Sequence, residues 1–460
     1  MLEVNLAVSF WAAGQSFLRR RGNRVVSARK HERSDELWQR GMKAIPVGTQ
    51  TFGKSPKQWG FGTVPNYVRR AQGSHIWDVD GNEYVDYGMA LGPIILGYNY
   101  PSVNAAIARQ LADGSIFSLN HPLEVELSEL LIDVIPCAEM VRFGKNGSDA
   151  TAAAVRLARG WTERDVVLCS GYHGWQDWYI GSTSRHRGVP KAVRDLTHQF
   201  PYNDRDALRT LLREHDGNVA AVIMEASNFE PPLPGYLEDV KGLAHDAGAL
   251  LIFDEVLTGF RMALGGAQSY FGVLPDLAVF AKAMANGMPV SALVGRADVM
   301  DLFNEVFYSF TFAGETLSLA AAVATIHELQ KPEVLHTVWA RGGELKRGCL
   351  ELIAEFGLDG VVACSGYDCW PRLSFAGNDD HESRVLETLF RQEVTKRGIL
   401  MRTGMFLSYS HSADDLRQTL DAYGSALELI AHARRGGKLE ERLDGPVIQP
   451  VIRDQIRVSG

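Results

Sequence analysis

The segment from Ala249 to Pro289 constrains this chain more than any other. It holds two apolar runs; the first ends in Asp254 and Glu255, and the second ends just before Lys282. Such runs suit strands covered on both faces, and reactive groups in open α/β sheets collect at the carboxyl ends of strands. The sequence therefore predicts a buried acid and a buried amine at neighbouring strand ends. A structural ion pair between them is the simpler alternative, because charged side chains are seldom buried unpaired.

Length and composition narrow the class of protein. The chain has 460 residues, which exceeds one ordinary domain and predicts a large domain with a smaller one attached. Its net charge of −8 gives no broad basis for binding nucleic acid or an anionic membrane, so we expect a small-molecule partner. The five cysteines are widely spaced and form no zinc pattern, which predicts no metal site and a reducing, cytoplasmic location.

The two ends of the chain differ from the rest. Residues 1–30 begin with an apolar run that is interrupted by Glu3 and followed by arginines, the reverse of the order in a signal peptide. The run is also too short and too polar to span a bilayer, so we interpret residues 1–30 as an N-terminal extension. Residues 436–460 lose helical periodicity, which predicts an extended tail.

Strand patterns alternate with helical patterns in the middle of the chain, which predicts an α/β fold with a mainly parallel sheet. The predicted strands are 140–143, 166–171, 219–225, 249–255, 277–281 and 291–295. The flanking regions are α+β. They comprise a helix over 31–46, a hairpin over 67–87, helix 332–355 with a bend at Gly342 and Gly343, helices 383–397 and 412–434, and strands near 369–375, 399–401 and 406–410.

A candidate anion site opens the alanine-rich segment NGSDATAAAV, which begins at Asn146. A helix start with a glycine and a hydroxyl presents free backbone N–H groups to a phosphate, and Gly147 and Ser148 supply these features. The simpler alternative is a plain capped helix with Ser148 as its N-cap.

An aromatic loop, GYHGWQDWYIG, follows the predicted strand 166–171. Its tryptophans and tyrosines could present a flat surface to a planar cofactor, or they could pack in the core. A pyridine-based aldehyde cofactor would use several of these features together. Its ring nitrogen pairs with a carboxylate such as Asp254, and its aldehyde reacts with an amine such as Lys282.

In their order along the chain, these elements resemble the class III pyridoxal-phosphate aminotransferases, most closely the branch of the glutamate-1-semialdehyde aminomutases. The matching segments are NGSDATAAAVRLAR, GYHGW, LLIFDEVLTGFR, PDLAVFAKAMANGMPVSALVGR and FTFAGETLSLAAA. The resemblance extends from about Asp35 to about Leu429. It implies fold type I of the pyridoxal-phosphate enzymes, an α/β fold whose large domain has a mainly parallel seven-stranded sheet and whose small domain is α+β.

The resemblance also implies a division of the chain into parts. These are an N-terminal extension over 1–30, an N-terminal segment of the small domain over 31–100, the large cofactor-binding domain over 101–330, the C-terminal small domain over 331–435 and a tail over 436–460.

A site for pyridoxal 5′-phosphate follows from the same resemblance. Lys282 would bind the cofactor aldehyde and move a proton, and Asp254 would keep the pyridine nitrogen protonated. The other expected contacts are Val256 and Tyr172 on the two ring faces, His173 in the aromatic loop, Glu225 and Asn228 toward the ring hydroxyl, Gly147 and Ser148 at the phosphate, and Thr311 reaching that phosphate from a second subunit. The resemblance therefore implies a homodimer with shared sites.

Three segments differ from the aminomutase pattern. The N-terminal loop has Lys54 and Lys57 where the aminomutases carry a carboxylate-binding arginine. Thr403 stands at about the position of their acid, and Phe310 precedes Thr311 in a changed phosphate segment. These differences argue against glutamate 1-semialdehyde as the substrate.

We expect an aminotransferase that moves an amino group from a small-molecule donor to an aldehyde or ketone acceptor by a ping-pong mechanism. A pocket lined by Trp175, Trp178, His173 and Asn228 would suit an oxo-sugar or another specialised acceptor. The alternative is an aminomutase or epimerase that acts on a single substrate. An inactive scaffold on the same fold is more remote, because a scaffold has no need of a buried lysine.

Overall fold

A seven-stranded sheet forms the centre of the computed structural model, which describes residues 30–449. The strands are β1 Val68–Gln72, β2 His75–Asp78, β3 Glu83–Asp86, β4 Met140–Gly144, β5 Val166–Ser170, β6 Thr197–Gln199, β7 Val219–Met224, β8 Leu250–Asp254, β9 Leu277–Phe280, β10 Ser291–Gly295, β11 Val362–Tyr367, β12 Trp370–Phe375 and β13 Ile399–Leu400. The α-helices are α1 Glu32–Ala44, α2 Pro101–Asp113, α3 Pro122–Val134, α4 Gly147–Thr162, α5 Asp177–Ile180, α6 Lys191–Arg194, α7 Arg205–Glu214, α8 Tyr236–Asp246, α9 Ala267–Phe271, α10 Ala297–Met300, α11 Thr316–Leu329, α12 Pro332–Glu355, α13 Asp380–Lys396 and α14 Ala413–Arg435.

The central sheet has the strand order β4-β10-β9-β8-β7-β5-β6. Strand β10 runs against its neighbours β4 and β9, and the other pairs are parallel. The prediction of an α/β fold with a mainly parallel seven-stranded sheet is therefore confirmed. Strands β5, β7, β8, β9 and β10 are buried along their whole length, which explains why each reads as a continuous apolar run.

Buried side chains cover both faces of this sheet. On β8, Leu250 and Ile252 belong to one hydrophobic cluster, while Leu251 and Phe253 belong to another. The first cluster includes the alanines of α4, whose small side chains let this helix pack close to the sheet. Because both faces are covered, side chains from several elements can meet at the carboxyl ends of the strands.

A smaller sheet joins segments from the two ends of the described chain. Its order is β1-β2-β3-β13, and β13 pairs in parallel with β3 through Ile399 opposite Val85 and Leu400 opposite Asp86. The predicted hairpin and the predicted strand at 399–401 therefore lie in one sheet. The boundaries of the two domains stay a prediction.

The predicted strand over 406–410 does not form. The backbone N–H of Phe406 donates to Tyr87, and that of Tyr409 donates to Ile95. A strand requires a continuous ladder along one partner, whereas this segment bonds to separate positions of another loop.

Helix α12 runs from Pro332 to Glu355, and its two central glycines have a packing role, while the predicted bend there stays a prediction. A Cβ atom on Gly342 would lie 1.5 Å from the carbonyl oxygen of Asp368, and one on Gly343 would lie 2.8 Å from that residue's carboxylate. The turn between β11 and β12 can therefore approach the helix backbone directly.

The predicted N-terminal extension lies outside the described residues except for Lys30, as does the last part of the predicted tail. Within the tail, Ile448 is buried and its N–H donates to Thr388 of α13 at 3.1 Å. No helix within residues 30–449 has both the length and the apolar character needed to cross a membrane.

Candidate active site

Asp254 and Lys282 lie at the carboxyl ends of two adjacent parallel strands. Asp254 is the last residue of β8 and pairs with Val279 of β9, and Lys282 follows two residues after the end of β9. Lys282 has a left-handed φ of 41° and opens a short 3-10 turn. This backbone is unfavourable for a side chain with a Cβ and is typically kept where a site requires it. The fold thus brings the predicted acid and amine to one edge of the sheet.

His173 orients the Asp254 carboxylate. Its Nδ1 lies 2.8 Å from Asp254 Oδ2, and the other carboxylate oxygen accepts the N–H of Val256 at 3.1 Å. Both side chains are buried, and the imidazole stacks on Trp178 with ring centroids 6.1 Å apart. Buried His173 Nε2 has no hydrogen-bond partner among residues 30–449. The carboxylate is thus fixed at both of its oxygens.

Helix α4 begins against the segment that follows Asp254. Asn146 is its N-cap, and Asp149 Oδ2 accepts the Asn146 N–H at 2.8 Å, so the alternative with Ser148 as the cap is wrong. A Cβ atom on Gly147 would lie 2.7 Å from Val256 Cγ2. A glycine at this position therefore allows the first turn of the helix to reach the end of β8.

A glycine-bounded loop connects this helix start to Glu225. Gly174 has a φ of 104°, and a Cβ atom there would lie 2.5 Å from Ser148 Cβ. A Cβ atom on Gly171 would lie 2.7 Å from Glu225 Oε2, the same oxygen that accepts the Tyr172 N–H at 3.4 Å. The loop thus packs closely on two of the predicted cofactor contacts.

The aromatic side chains of this loop divide between the core and the surface. Trp178 and Tyr179 are buried, and the Tyr179 hydroxyl donates to the Gly171 carbonyl at 2.8 Å. Tyr172 is 39% exposed and meets Tyr179 edge to face, whereas Trp175 is 65% exposed. Core packing and surface presentation therefore both occur, and Tyr172 is the partly exposed ring next to buried His173.

Two predicted contacts lie further from this cluster. Asn228 is half-buried on the segment after β7, and its side-chain oxygen accepts the Glu230 N–H at 2.9 Å. Thr311 is exposed in the turn before α11, next to Phe312, which is also exposed. The structure therefore brings His173 and Val256 each into contact with Asp254, and it leaves Thr311 at the surface of its own chain.

Two charged residues of the segment DEVLTGFR hold the loop after β8. Buried Glu255 accepts the Thr258 hydroxyl and the N–H groups of Ala267 and Gln268, and burial raises the pKa of its carboxyl. Buried Arg261 donates to the carbonyls of Gly92, Leu407 and Cys369, and burial lowers the pKa of its guanidinium to about 10. Residue spacing alone did not indicate that Glu255 fixes the loop internally, or that Arg261 joins it to the segments around Gly92, Cys369 and Leu407.

Arg402 is a further charged side chain that the sequence analysis missed. Its guanidinium carbon lies 5.8 Å from the centroid of the Trp59 ring, and Nη1 lies 3.5 Å from the Gly53 carbonyl oxygen. Arg402 directly precedes Thr403, the residue that replaces the acid of the aminomutases, and this position in the sequence could have indicated its importance. A cation therefore stands beside the loop in which the expected arginine is missing.

Similarity to known proteins identifies the family of this chain. A model of the family described as aminotransferase class-III matches residues 60–357. The chain belongs to this family. One relative of this class III enzyme is 3-aminobutyryl-CoA aminotransferase of Cloacimonas acidaminovorans (strain Evry), which is 34% identical over an alignment of 408 residues that covers 86% of this chain and 97% of the relative. Another is glutamate-1-semialdehyde 2,1-aminomutase of Halobacterium salinarum (strain ATCC 29341 / DSM 671 / R1), which is 34% identical over an alignment of 448 residues that covers 86% of this chain and 99% of the relative.

The solved structures agree with this assignment. The internal aldimine form of the FumI protein of Sphingopyxis sp. MTA144, which contains pyridoxal phosphate, superimposes with a TM-score of 0.83 at 29% identity and covers 92% of this chain and 99% of FumI. The class III enzyme is a pyridoxal-phosphate-dependent aminotransferase, and the predicted family, fold type and cofactor are confirmed.

The residues present fit the cofactor. These site residues provide an amine on Lys282 and a carboxylate on Asp254, and His173 holds that carboxylate in place. A glycine at 147 lets the first turn of α4, whose backbone N–H groups can bind a phosphate, lie against the segment that follows Asp254.

Proposed function

We propose that this enzyme transfers an amino group from a small-molecule donor to an aldehyde or ketone acceptor in two successive half-reactions. The observation that carries the proposal is the placement of Asp254 and Lys282 on adjacent strand ends, with His173 bound to the acid. When bound, pyridoxal phosphate supplies a reactive aldehyde and an electron-withdrawing ring.

The side chains of the chain itself perform distinct tasks in this proposal. Asp254 holds a proton at the pyridine nitrogen, and His173 keeps the carboxylate in the orientation that this requires. Lys282 Nζ would bind the cofactor aldehyde and would move a proton at that position. Val256 and Tyr172 would cover the two faces of the ring.

The remaining predicted contacts position the cofactor. Gly147 and Ser148 donate to its phosphate from the first turn of α4. Glu225, buried at the end of β7, and Asn228 act on the side of the ring that carries the hydroxyl. The support for these roles is the close packing of the loop from Gly171 to Gly174 on both Ser148 and Glu225.

Arg402 indicates which class of amino donor the enzyme would use. A guanidinium binds a carboxylate through paired hydrogen bonds, so we propose that Arg402 orients the carboxylate of an amino-acid donor. The acceptors to compare are oxo-sugars and other small aldehydes and ketones. The name of the Cloacimonas relative adds 3-aminobutyryl-CoA as a candidate amino donor.

Lys282 provides the direct test of the proposed function. After reconstitution with pyridoxal phosphate, borohydride reduction and digestion should leave a cofactor mass on the peptide that contains Lys282. Donor addition before reduction should remove that mass, and a matching acceptor should restore it. Lys282→Ala should carry no label, whereas Lys241→Ala on α8 should behave like the wild type. A label that persists in the presence of every amino donor would contradict amino transfer.

An aminomutase reaction is the second candidate. It is favoured by the aminomutase relatives, which match this chain over 86% of its length. The replacement at Thr403 and the absence of an arginine between Lys54 and Lys57 weigh against the same substrate. Turnover of one amino-aldehyde without consumption of a separate donor would select this reaction over transfer between two substrates.

We further propose a cytoplasmic homodimer in which Thr311 binds the cofactor phosphate of the other subunit. Thr311 is exposed on its own chain, and Phe307 and Phe312 beside it are 75% and 57% exposed. Apolar side chains exposed together are typical of a surface that a partner covers. The five buried, unpaired cysteines are compatible with a reducing compartment.

A further inference from the structure

Asn286 directly follows the short 3-10 turn that Lys282 opens, and it connects this turn to a distant loop. Its side-chain oxygen accepts the backbone N–H groups of Ile95 and Leu96, each at 3.0 Å, and its side-chain amide donates to the Gly97 carbonyl at 3.0 Å. Asn286 is buried, so bulk water would not replace a bond lost here. One side chain therefore ties the turn that carries the lysine to three consecutive residues much earlier in the chain.

The backbone of this turn is unfavourable at both ends. Lys282 has a φ of 41° and Asn286 a φ of 45°, both in the left-handed region. Asparagine tolerates that region, whereas a lysine there persists only where the surrounding structure holds it. The residues between them, 283–285, are buried and fix the middle of the turn by packing. The three bonds of Asn286 fix its end, and they oppose the backbone relaxation that would move Lys282.

The loop that receives these bonds follows β3 and approaches the segments after both strand ends of the candidate site. A Cβ atom on Gly92 would lie 3.4 Å from Leu257, which comes shortly after β8. A Cβ atom on Gly287 would lie 2.7 Å from Ile94 Cδ1, so the loop also approaches the backbone just beyond the lysine turn. The hydrogen bonds of Asn286 thus join the lysine turn to a loop that begins in the smaller sheet.

We propose that Asn286 is a positioning residue, which fixes the backbone of Lys282 so that Nζ stays at the position of the cofactor aldehyde. The inference rests on the proposed role of Lys282 as the reactive amine. An amide side chain suits the task because it offers an acceptor and a donor together, whereas a carboxylate offers acceptors alone. Glycine would fit the left-handed backbone but would make none of the three bonds.

Two substitutions separate the hydrogen bonds from the backbone conformation. Asn286→Gly removes the three bonds and keeps the left-handed backbone accessible. Asn286→Asp keeps an acceptor for the two N–H groups but places a second acceptor toward the Gly97 carbonyl. Asn203→Gly is the matched control. Asn203 follows β6 at the edge of the sheet and has a φ of 65°, and its side chain bonds the Leu233 N–H at 2.8 Å and the Pro231 carbonyl at 3.1 Å.

The measurements on the reconstituted enzyme are borohydride labelling of Lys282, the pH titration of the absorbance of the bound cofactor, and steady-state kinetics. For Asn286→Gly we expect kcat to fall about tenfold or more with a smaller change in KM, because a small displacement of a reacting group lowers the rate steeply. The midpoint of the absorbance titration should shift, since the lysine nitrogen moves relative to its surroundings. Asn286→Asp should lie between this variant and the wild type, and Asn203→Gly should match the wild type.

The inference is overturned if Asn286→Gly, with a wild-type Tm, keeps the wild-type kcat and titration midpoint, or if Asn203→Gly loses as much as Asn286→Gly. If Asn286→Gly does not fold, Asn286→Asp decides, and wild-type kcat and midpoint in that variant overturn the inference. A wild-type enzyme that carries no label on Lys282 would refute the proposed role of the lysine, and this inference with it. Normal labelling with unchanged Asn286 variants would refute the positioning role alone.

Discussion

His173 Nδ1 and Asp254 Oδ2 lie 2.8 Å apart, although the two residues are 81 positions apart in the chain. The contact joins the loop after β5 to the end of β8, and the Trp178 ring stacks on the imidazole of His173. A carboxylate held in this way needs no rearrangement when a protonated ring nitrogen arrives, and such preorganisation is a large part of enzymatic rate enhancement.

Replacing the acid should therefore impair chemistry more than binding. Asp254→Asn keeps the shape of the side chain but cannot hold the proton at the ring nitrogen, so we expect kcat to fall by about 100-fold or more. Steady-state kinetics with a saturating donor, together with cofactor titration, would separate the two effects. Asp239→Asn, which removes an acid paired with Arg205 on the surface, should leave kcat unchanged. A near-normal kcat in Asp254→Asn would refute this role.

The close contact between Gly147 and Val256 predicts a loss of cofactor affinity on adding one methyl group. In Gly147→Ala the new Cβ would lie 2.7 Å from Val256 Cγ2, so the helix start or the Val256 side chain must move. Overpacking of this kind costs roughly 1–3 kcal/mol, and we expect the Kd for pyridoxal phosphate to rise about tenfold. Gly242→Ala in α8 is the control, since no atom lies within 4 Å of its Cβ position. Equal Kd values for the two variants would contradict the prediction.

Mixing two inactive variants can locate Thr311. If Thr311 serves the other subunit, a hybrid of Lys282→Ala and Thr311→Ala contains one fully intact site, and mixing the two proteins should restore activity. If it serves its own subunit, each site of the hybrid carries one defect and activity stays absent. The measurement is turnover before and after subunit exchange, with each variant incubated alone as the control.

Arg402 is expected to discriminate between amino donors. Arg402→Gln should raise KM about tenfold or more for donors that carry a carboxylate, because a charge-assisted hydrogen bond contributes roughly 1.5–3 kcal/mol. An amine donor without a carboxylate should be unaffected. Arg397→Gln, which removes a partner of Glu393 on α13, is the control. An equal rise in KM for both donor types would indicate a general change in pocket shape instead.

His75 should make stability depend on pH. Its Nε2 lies 2.8 Å from Asp415 Oδ1, and its Nδ1 lies 2.9 Å from Glu83 Oε1. The hydrogen bond with Asp415 raises the pKa of His75 despite the opposing effect of burial, and the Glu83 charge adds to the rise. Because the folded-state pKa exceeds the unfolded one, this stabilisation is complete below the ordinary histidine pKa of about 6.5 and is lost as the pH rises through the folded-state pKa.

The Tm of His75→Gln should therefore fall furthest below that of the wild type near pH 6, and the gap should narrow toward pH 9. His381→Gln, which removes an exposed histidine on α13, should show no such trend. A gap that stays constant across this range would exclude the charged form of His75 as its source.

Local patterns predicted the site-forming strands well and the long-range contacts poorly. Strands β8 and β9 could be predicted within about one residue because burial on both faces makes them continuous apolar runs. The segment 406–410 mixes apolar residues with two serines, and it packs as an irregular loop that only the tertiary structure determines. The bond between His173 and Asp254 and the role of Arg261 depend on partners far away in sequence, which residue spacing does not reveal.

The pairing of β13 with β3 also sets an order on folding during synthesis. Every strand of the central sheet has been made once residue 295 has left the ribosome, whereas the smaller sheet lacks its last strand until Leu400 follows. The edge of β3 therefore remains unpaired while more than a hundred further residues are translated. Exposed strand edges favour incorrect association between nascent chains. Arg402, which lies two residues after β13, is made equally late.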